Sequence, residues 1–539
     1  MCEAEHTPIA EIQGASWTSP VQGEIRTVTG VVTHVEPGLG FYLEEEDSDK
    51  DKDTSNGIYV VAPLLAEATL ARQRLVVRGE VAELGERRDT QTALTQVDAW
   101  RSCETGLLLP VTEARLPMGN PRREALESMH VRFSETLWVT DVYRHAQGQI
   151  GVAAEGILPA PTEVAWPGED AGARARENRK RLLSVCLSVV DQQVFSLGDR
   201  VMSLQGTLGK NEDWPCIKSM SKLSSMPVGP VVNPPTDNAF RAVGLNLRNY
   251  FNGDGSGGGF PTPRGARSHA EFTTQRKKLL EAYKVLEPDI LAVMELENDG
   301  FDKSSAAADV LRDVQAVNDE PWAAVDPGIG LIGGDQITVG LFYKSALFEP
   351  LERAGVLDTG PFHFGNRPSL AQAFVHKPTG LRFLVVVSHF KSKGSCPEDG
   401  PNADRRDGQG CWNALRQQAA ESLVSWAQEL AGQLTDGHVL LLGDFNAYRM
   451  EDPIQSIINR GFKDLTASVG LRQEYTYVYR GEAGTLDYAF ASPGLQKWVR
   501  SGRILNINAG QPDGLRLKQP HLRASDHDPV IVDLRPGSP

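Results

Sequence analysis

The sequence predicts an α/β layered domain over its C-terminal half, preceded by all-β barrels of short strands. Three observations carry this expectation. After residue 239, apolar runs such as DILAVMELE (289–297) and HVLLLGDFN (438–446) are too uniform for strands with one wet face. Between such runs lie helical patterns, EFTTQRKKLLEAYKVL (271–286) and ALRQQAAESLVSWAQELAGQ (414–433). Before about residue 225 the apolar stretches are shorter, partly alternating and punctuated by turns.

In the N-terminal part, EIRTVTGVVTHV (24–35), GFYLEE (40–45), GIYVVAP (57–63) and QRLVVRGEVAEL (73–84) read as strands of a small barrel of the OB type over residues 1–110. The insert EEEDSDKDKDTSNG (44–57) is a charged loop; its clustered acids are a candidate Ca²⁺ site but do not match an EF-hand. VRFSETLWVTDVY (131–143) and LGDRVMSLQGTLGK (197–210) repeat the flavour, predicting a second β-rich, OB-like domain over 111–232. EDAGARARENRKRL (169–182) is a surface loop or short helix. The Pro-rich stretch MPVGPVVNPPTDN (226–238) reads as a linker, and the C-terminal domain is expected over 233–539.

Charge and cysteine usage bound the setting. The 539 residues carry a formal net charge of −15. From Thr236 onward there are 32 basic and 37 acidic residues, so most of the excess acid lies outside the part where the chemistry is expected. No apolar run approaches the ~18 residues that span a bilayer, and stable membrane association is not expected. The opening MCEAEHTPIAEIQG lacks the basic start and apolar stretch of a signal peptide, and reads as a mature form with Met1 ahead of Cys2. Six cysteines without a CxxC pattern suggest disulfides and an oxidising compartment, hence secretion. Nearest partners within domains give Cys2–Cys103, Cys186–Cys216 and Cys396–Cys411. Two alternatives stay open: six reduced thiols, or lipid on Cys2, which leaves Cys103 unpaired.

In the C-terminal part, the polar residues that close the apolar strands are the informative ones. AFRAVGLNLRNY (239–250) carries Asn246, Arg248 and Asn249. The next strand delivers Glu295, and LRFLVVVSHF (381–390) ends in His389. GDFNA holds Asp444 and Asn446, which face the same side because residues two apart on a strand do. TLDYAFAS carries Asp487, and SDHDP supplies Asp526 and His527 before the last strand, DPVIVDL (528–534). Any one of these residues is most simply a cap or turn residue. Six such sites in order, each at a strand end, point to one centre. Asn, Asp and Glu oxygens without cysteine suit a hard cation, so Mg²⁺ or Mn²⁺ is expected rather than zinc.

Asn246, Glu295, His389, GDFNA, LDY and SDHDP occur in the order found in the endonuclease/exonuclease/phosphatase superfamily, which includes pancreatic deoxyribonuclease; the resemblance covers about residues 239–537. Within it, NYFNGDGSGGGFPTPRGA (249–266), MELENDG (294–300), NRPSLAQAF (366–374), HFKSKG (389–394) and DGQGCWNALR (407–416) resemble the ExeM-like extracellular nucleases of bacteria, which also carry an OB-like domain ahead of the nuclease domain.

The resemblance implies a four-layer α/β sandwich of the DNase I type. It implies that Asn246 and Glu295 hold the metal with Asp526 close by. Asp444 and Asn446 then orient the scissile phosphate and the attacking water, and Asp487 orients His527, the second imidazole after His389. Arg367 matches a phosphate-clamping arginine, and Arg248 sits where the pancreatic enzyme has an arginine. Asn249, Arg264, Lys391 and Lys393 are further candidates for substrate contact, with Arg405 and Arg406 near the phosphate path. No partner carboxylate for His389 is placed; Asp335 is near but out of register. Ca²⁺ is a second candidate ion, at Asp254 or in the 44–57 loop. The implied activity is largely non-specific endonucleolytic cleavage of DNA, with RNA as a further substrate, by a monomer. Phosphatase or sphingomyelinase chemistry on the same fold, and an inactive nucleic-acid or matrix-binding protein, are the alternatives. A fragment of residues 236–539 contains every proposed catalytic group and is expected to keep nicking activity.

Overall fold

The computed structural model describes all residues except 1, 3, 4, 48, 50, 87, 88, 188–192, 212, 213, 219–222, 227–238, 468–474, 515, 516, 518, 538 and 539. The expected linker at 226–238 therefore lies almost wholly outside the described residues. The chain divides into two compact units. One comprises Met1–Leu158, Arg176–Val228 and Pro512–Gly514; the other comprises Pro159–Ala175, Gly229–Gln511 and Leu515–Pro539.

In the first unit, Ile25–Glu36, Gly40–Glu44, Gly57–Val61, Asp89–Thr105 and Gln73–Glu86 close into a five-stranded barrel in that spatial order. Alternation sends Val28, Val32, Phe41, Leu43, Ile58, Val60, Leu75 and Val77 into its core. The second β-rich segment forms a nine-stranded sheet, not a second closed barrel. Its edge strands, Thr112–Ala114 and Ser224–Met226, are three residues each and, among the described residues, do not pair with one another. The stretch at 169–181 is a thirteen-residue helix, of which the residues up to Ala175 belong to the second unit. Gly57 has no Cβ where the Ser128 backbone crowds it: a Cβ would lie 2.4 Å from the Ser128 carbonyl carbon. Disulfides join Cys2 to Cys103 and Cys186 to Cys216, the latter across the parallel pair formed by Leu182–Cys186 and Trp214–Lys218.

Within this unit Glu44 is buried, and its Oε2 accepts the His130 amide at 2.6 Å. Burial pushes its carboxyl up to about 8, the His130 hydrogen bond opposing the shift. A raised folded value means that the folded state binds this proton more tightly than the unfolded chain does. That contribution to stability is full below the ordinary carboxyl range and is lost as pH rises through about 8. Glu44→Gln should therefore raise the Tm relative to the parent at about pH 9 and much less at about pH 5. Calorimetry at the two pH values checks this, and an equal Tm difference at both would refute it.

The second unit holds two six-stranded sheets. One runs Trp322–Ala324, Ile337–Lys344, Ile290–Glu297, Phe240–Tyr250, Val530–Leu534, Val499–Ile504; the other runs Phe348–Leu357, Ser369–His376, Leu381–His389, Val439–Asp444, Asp487–Ala491, Lys463–Asp464. Ala242, Ala292, Met294, Val339 and Leu341 of the first sheet meet Leu370, Phe374, Phe383, Val385 and Leu442 of the second in one core. The opposite faces are covered too. Val243, Leu245, Leu291 and Val293 pack under the helices His269–Leu286 and Ala306–Asn318. Leu384, Val386 and Leu441 pack under Asn413–Leu434 and Asp452–Asn459. Four layers result, helices–sheet–sheet–helices, and strands buried on both faces explain the continuous apolar runs. The helix starts reflect local chemistry: the Ser268 and Ser305 hydroxyls accept the Glu271 and Ala308 amides at 3.2 and 3.1 Å.

Candidate active site

Strand register builds the centre. Leu381–His389 and Val439–Asp444 run parallel with His389 opposite Asp444, and Asp487–Ala491 runs antiparallel to the latter with Asp444 opposite Asp487. An imidazole and two carboxylates thus stand abreast on three adjacent strands, buried at the same level. From the facing sheet, Asn246 Nδ2 donates to Glu295 Oε1 at 3.1 Å and to Asp444 Oδ2 at 3.2 Å. His527, just ahead of the last strand, places Nδ1 2.7 Å from Asp487 Oδ2 and 3.9 Å from Asp444 Oδ2.

The backbone is bent to achieve this. Arg248, Asn249, Glu295 and Asn446 have φ of 58°, 48°, 59° and 49°, and the strands bearing Asn246 and Glu295 shift register there. Left-handed conformations in non-glycine residues cost on the order of 1–3 kcal/mol each, and they persist where the surroundings over-determine them. Here the over-determination is visible. Asn249 N donates to Glu295 Oε2 at 2.8 Å, Arg248 N to Asn246 Oδ1 at 2.9 Å, and Asn446 N to Asp444 Oδ1 at 2.9 Å.

The electrostatics separate the two histidines. Burial drives His389 well below its ordinary value, and the charge of Arg367 adds to the shift. Burial acts the same way on His527, but the Asp487 and Asp444 carboxylates overcome it and hold that imidazole well above its ordinary value. Burial, reinforced by Asp487, lifts the Asp444 carboxyl to about 7. A site that crowds acids in this way suits a cation. Ligand atoms of Glu295, His389 and Asp444 lie within 4.8 Å of one another, and the same holds for Asp444, Asp487 and His527. The first of these groups, with Asn246 beside it, is the oxygen-rich set that fits a hard divalent ion. Asp526 belongs to neither group; it is partly exposed and acts on His527 and Tyr477 through its charge.

The expected substrate residues divide. Arg367 is central: Nη1 lies 3.4 Å from His389 Nε2 and donates to the Phe390 carbonyl, while Nε donates to Asp335 Oδ2 at 2.9 Å. Asp335 also accepts from Arg264 Nη1 at 3.2 Å, so it links two arginines and does not serve His389. His389 Nδ1 is buried without a hydrogen-bond partner among the described residues, as is Asn249 Oδ1. Arg248 borders Asn246 through its backbone. Lys391 lies over the Trp412 ring, 5.0 Å from its centroid. Lys393 turns the other way, pairing with the fully buried Glu451 and covering the Tyr448 ring at 4.3 Å, because that carboxylate needs a cation. The Cys396–Cys411 disulfide closes the loop that carries Arg405 and Arg406. One oxygen of Asp254, Oδ1, is engaged by its own loop, accepting from Ser256 N, Ser256 Oγ and Gly258 N.

Two neighbours escaped the sequence reading. The Tyr477 ring lies on the His527 imidazole with centroids 4.7 Å apart, and Thr476 Oγ1 accepts the Leu486 and Asp487 amides at 2.9 and 3.0 Å. The alternation in YTYVY, shortly before LDY, was the available signal.

The sequence model of the endonuclease/exonuclease/phosphatase family matches residues 246–527. No curated protein matches the chain. Among solved structures, an endonuclease/exonuclease/phosphatase from Bacteroides vulgatus is 19% identical, with TM-score 0.37, covering 55% of this chain and 98% of its own. The human nocturnin catalytic domain is 16% identical with TM-score 0.37, covering 56% and 95%. D. rerio TDP2 complexed with a single-strand DNA product is 13% identical with TM-score 0.36, covering 55% and 99%. With just over half the chain matched and the site residues converging at the strand ends, this protein belongs to the endonuclease/exonuclease/phosphatase family of phosphate-ester hydrolases.

Proposed function

We propose that the chain is a secreted, divalent-metal-dependent endonuclease that hydrolyses DNA, and RNA as a further substrate, with little sequence preference. The observation that carries this reading is the side-by-side register of His389, Asp444 and Asp487, with His527 hydrogen-bonded to Asp487. Asp487 fixes the orientation and tautomer of His527, which exchanges a proton with water or with the leaving oxygen. Arg367 and Asn446 are fixed donors for the charge that grows on the phosphoryl oxygens. Asn246 and Glu295 would hold Mg²⁺ or Mn²⁺ with Asp444 and Asp526 close by, Asn246 through its oxygen once the amide turns from the arrangement in which Nδ2 faces Glu295 and Asp444. The bound ion supplies Lewis acidity toward the phosphoryl oxygen.

Arg367 and Arg264 act on His389 through their charge, and Lys391 feels both arginines; together they form a basic patch where a phosphate backbone is positioned without its sequence being read. Three disulfides support an extracellular setting. The closed five-stranded barrel, with its one parallel pairing between Gly57–Val61 and Asp89–Thr105, supports the OB-type reading of residues 1–110. No helix among the described residues is long and apolar enough to cross a membrane.

Supercoiled plasmid, p-nitrophenyl phosphate and sphingomyelin, each offered to the metal-loaded protein, test the substrate class. Conversion of plasmid to nicked and linear forms, with broad internal cleavage and negligible turnover of the other two, is the expected result. A preference for either small ester, or release of mononucleotides only from an end, would overturn the proposal.

A further inference from the structure

The stretch matched by the family begins at residue 246, yet Pro159–Ala175, far upstream, belongs to the same compact unit as the active site. We propose that this segment is a strap that locks together the two chain segments flanking the catalytic carboxylates, and that Glu163 is a positioning residue for the hydrolysis proposed above, on which this inference rests.

The geometry is specific. Beyond the facing pair Asp444 and Asp487, the two chains leave the sheet, and the Phe445 amide to the Leu486 carbonyl is the next direct bond between them. Farther along, Tyr488 Oη donates to the Ala447 carbonyl at 3.0 Å and Arg449 Nη2 donates to Thr485 Oγ1 at 3.2 Å, and Glu163 adds a bridge between the same two segments. Its Oε1 accepts Arg449 Nε at 3.1 Å and Thr485 Oγ1 at 3.2 Å; its Oε2 accepts Thr485 N at 3.0 Å and Arg449 N at 3.4 Å. Arg449 is three residues past Asn446, and Thr485 is two before Asp487. On either side of Glu163 the strap is tied by backbone: Ala160 N donates to the Ala483 carbonyl at 2.8 Å, and the Thr162 carbonyl accepts Met450 N at 2.9 Å. Thr162 Oγ1 donates to Glu451 Oε1 at 2.6 Å, and the Gly168 amide reaches the Asp407 carbonyl at 2.7 Å.

These groups are buried: Thr162 and Thr485 are 1% and 0% exposed, and the Glu163 side chain is 10% exposed. Without Glu163, the Thr485 amide would lose its acceptor away from water, a penalty that the loops would relieve by shifting against the ties that remain. Asp487 and Asn446 would move with them, and His527 through Asp487. Prolines at 159, 161 and 167 remove the backbone donor at those three positions, and the strap runs through one short helical turn, Pro161–Val164, into the start of the helix Glu169–Arg181. A chain starting at residue 236 lacks the strap, so the activity expected of that fragment is revised to a severe loss.

The test uses the full-length protein and three variants. Glu163→Ala removes all four acceptor contacts. Glu163→Asp withdraws the carboxylate by one methylene. Glu163→Gln keeps the shape and the acceptor oxygen for the Thr485 amide. The alanine variant is expected to lose ~10–100-fold in kcat on plasmid with KM within about twofold, as a slight misplacement of catalytic groups does. Aspartate should fall between, and glutamine should recover most of kcat. Amide hydrogen exchange is measured alongside, and should speed up at Arg449, Met450 and Thr485 in the alanine variant.

A folded alanine variant with wild-type kcat, or a loss confined to KM, overturns the proposal. If alanine does not fold, wild-type kcat in the aspartate variant overturns it equally. Should the wild-type protein prove inert on nucleic acid, faster exchange at those three amides would still uphold the strap while the functional reading failed. Unchanged exchange would overturn the strap on its own.

Discussion

His527→Ala should lower the rate of plasmid cleavage by at least ~10²-fold with the fold intact, the usual contribution of a general acid–base group. Asp487→Asn should do the same. The carboxylate sits 2.7 Å from His527 Nδ1, and an amide there can present its NH₂ to the ring and stabilise the wrong tautomer. Because the two act as one unit, the double variant should be little worse than either single one. Initial rates, read with near-ultraviolet circular dichroism as a check on folding, decide the matter. Near-wild-type cleavage by a folded His527→Ala protein would remove His527 from the chemistry, and additive losses in the double variant would uncouple it from Asp487.

Chelation should have the larger effect. EDTA is expected to abolish activity, with Mg²⁺ or Mn²⁺ restoring it, while a zinc-selective chelator should leave it untouched. The reason is electrostatic. Asp444 is buried beside Asp487 with Glu295 close by, and burial together with Asp487 holds the Asp444 carboxyl at about 7. A divalent ion at the oxygen donors favours the ionised carboxylates that burial opposes. Glu295→Gln should therefore raise the Mg²⁺ concentration needed for half-maximal rate. Full activity after exhaustive chelation would sink the metal assignment. Ca²⁺ is a separate matter. Asp254 Oδ1 accepts from its own loop, and in the 44–57 loop Asp49 Oδ1 and Asp51 Oδ1 accept the Asp51 and Asp53 amides, each at 3.0 Å. A calcium titration that leaves Tm and rate unchanged would exclude both places.

Much of the centre was legible because the information is local. A polar residue closing an apolar run marks the place where a buried strand leaves the core, and in a layered α/β fold such ends gather on one side. Asn246, Glu295, His389 and Asp444 announce themselves in this way, Asp487 opens its strand instead, and the structure brings them together with His527. The cysteines were legible as nearest partners within domains, and the structure joins the same pairs. Lys393 was not: written beside His389, it reads as a phosphate contact, yet it answers the buried charge of Glu451, 58 residues away.

By itself, then, the sequence determined which segments are strands and helices, and which side chains stand at their ends, since hydrophobic period and breaker residues are written within a few positions of one another. Only the tertiary structure decided the pairings across distance. It set Asp335 against Arg264 and Arg367 instead of His389, closed the first barrel while leaving the second sheet open, and turned Glu295 into a left-handed backbone. It also carried Glu163 to Arg449 and Thr485, 286 and 322 residues away. Contacts of that kind are selected by burial: a charge or amide shut away from water must find a partner wherever the packed layers present one, and no local pattern records which one that will be.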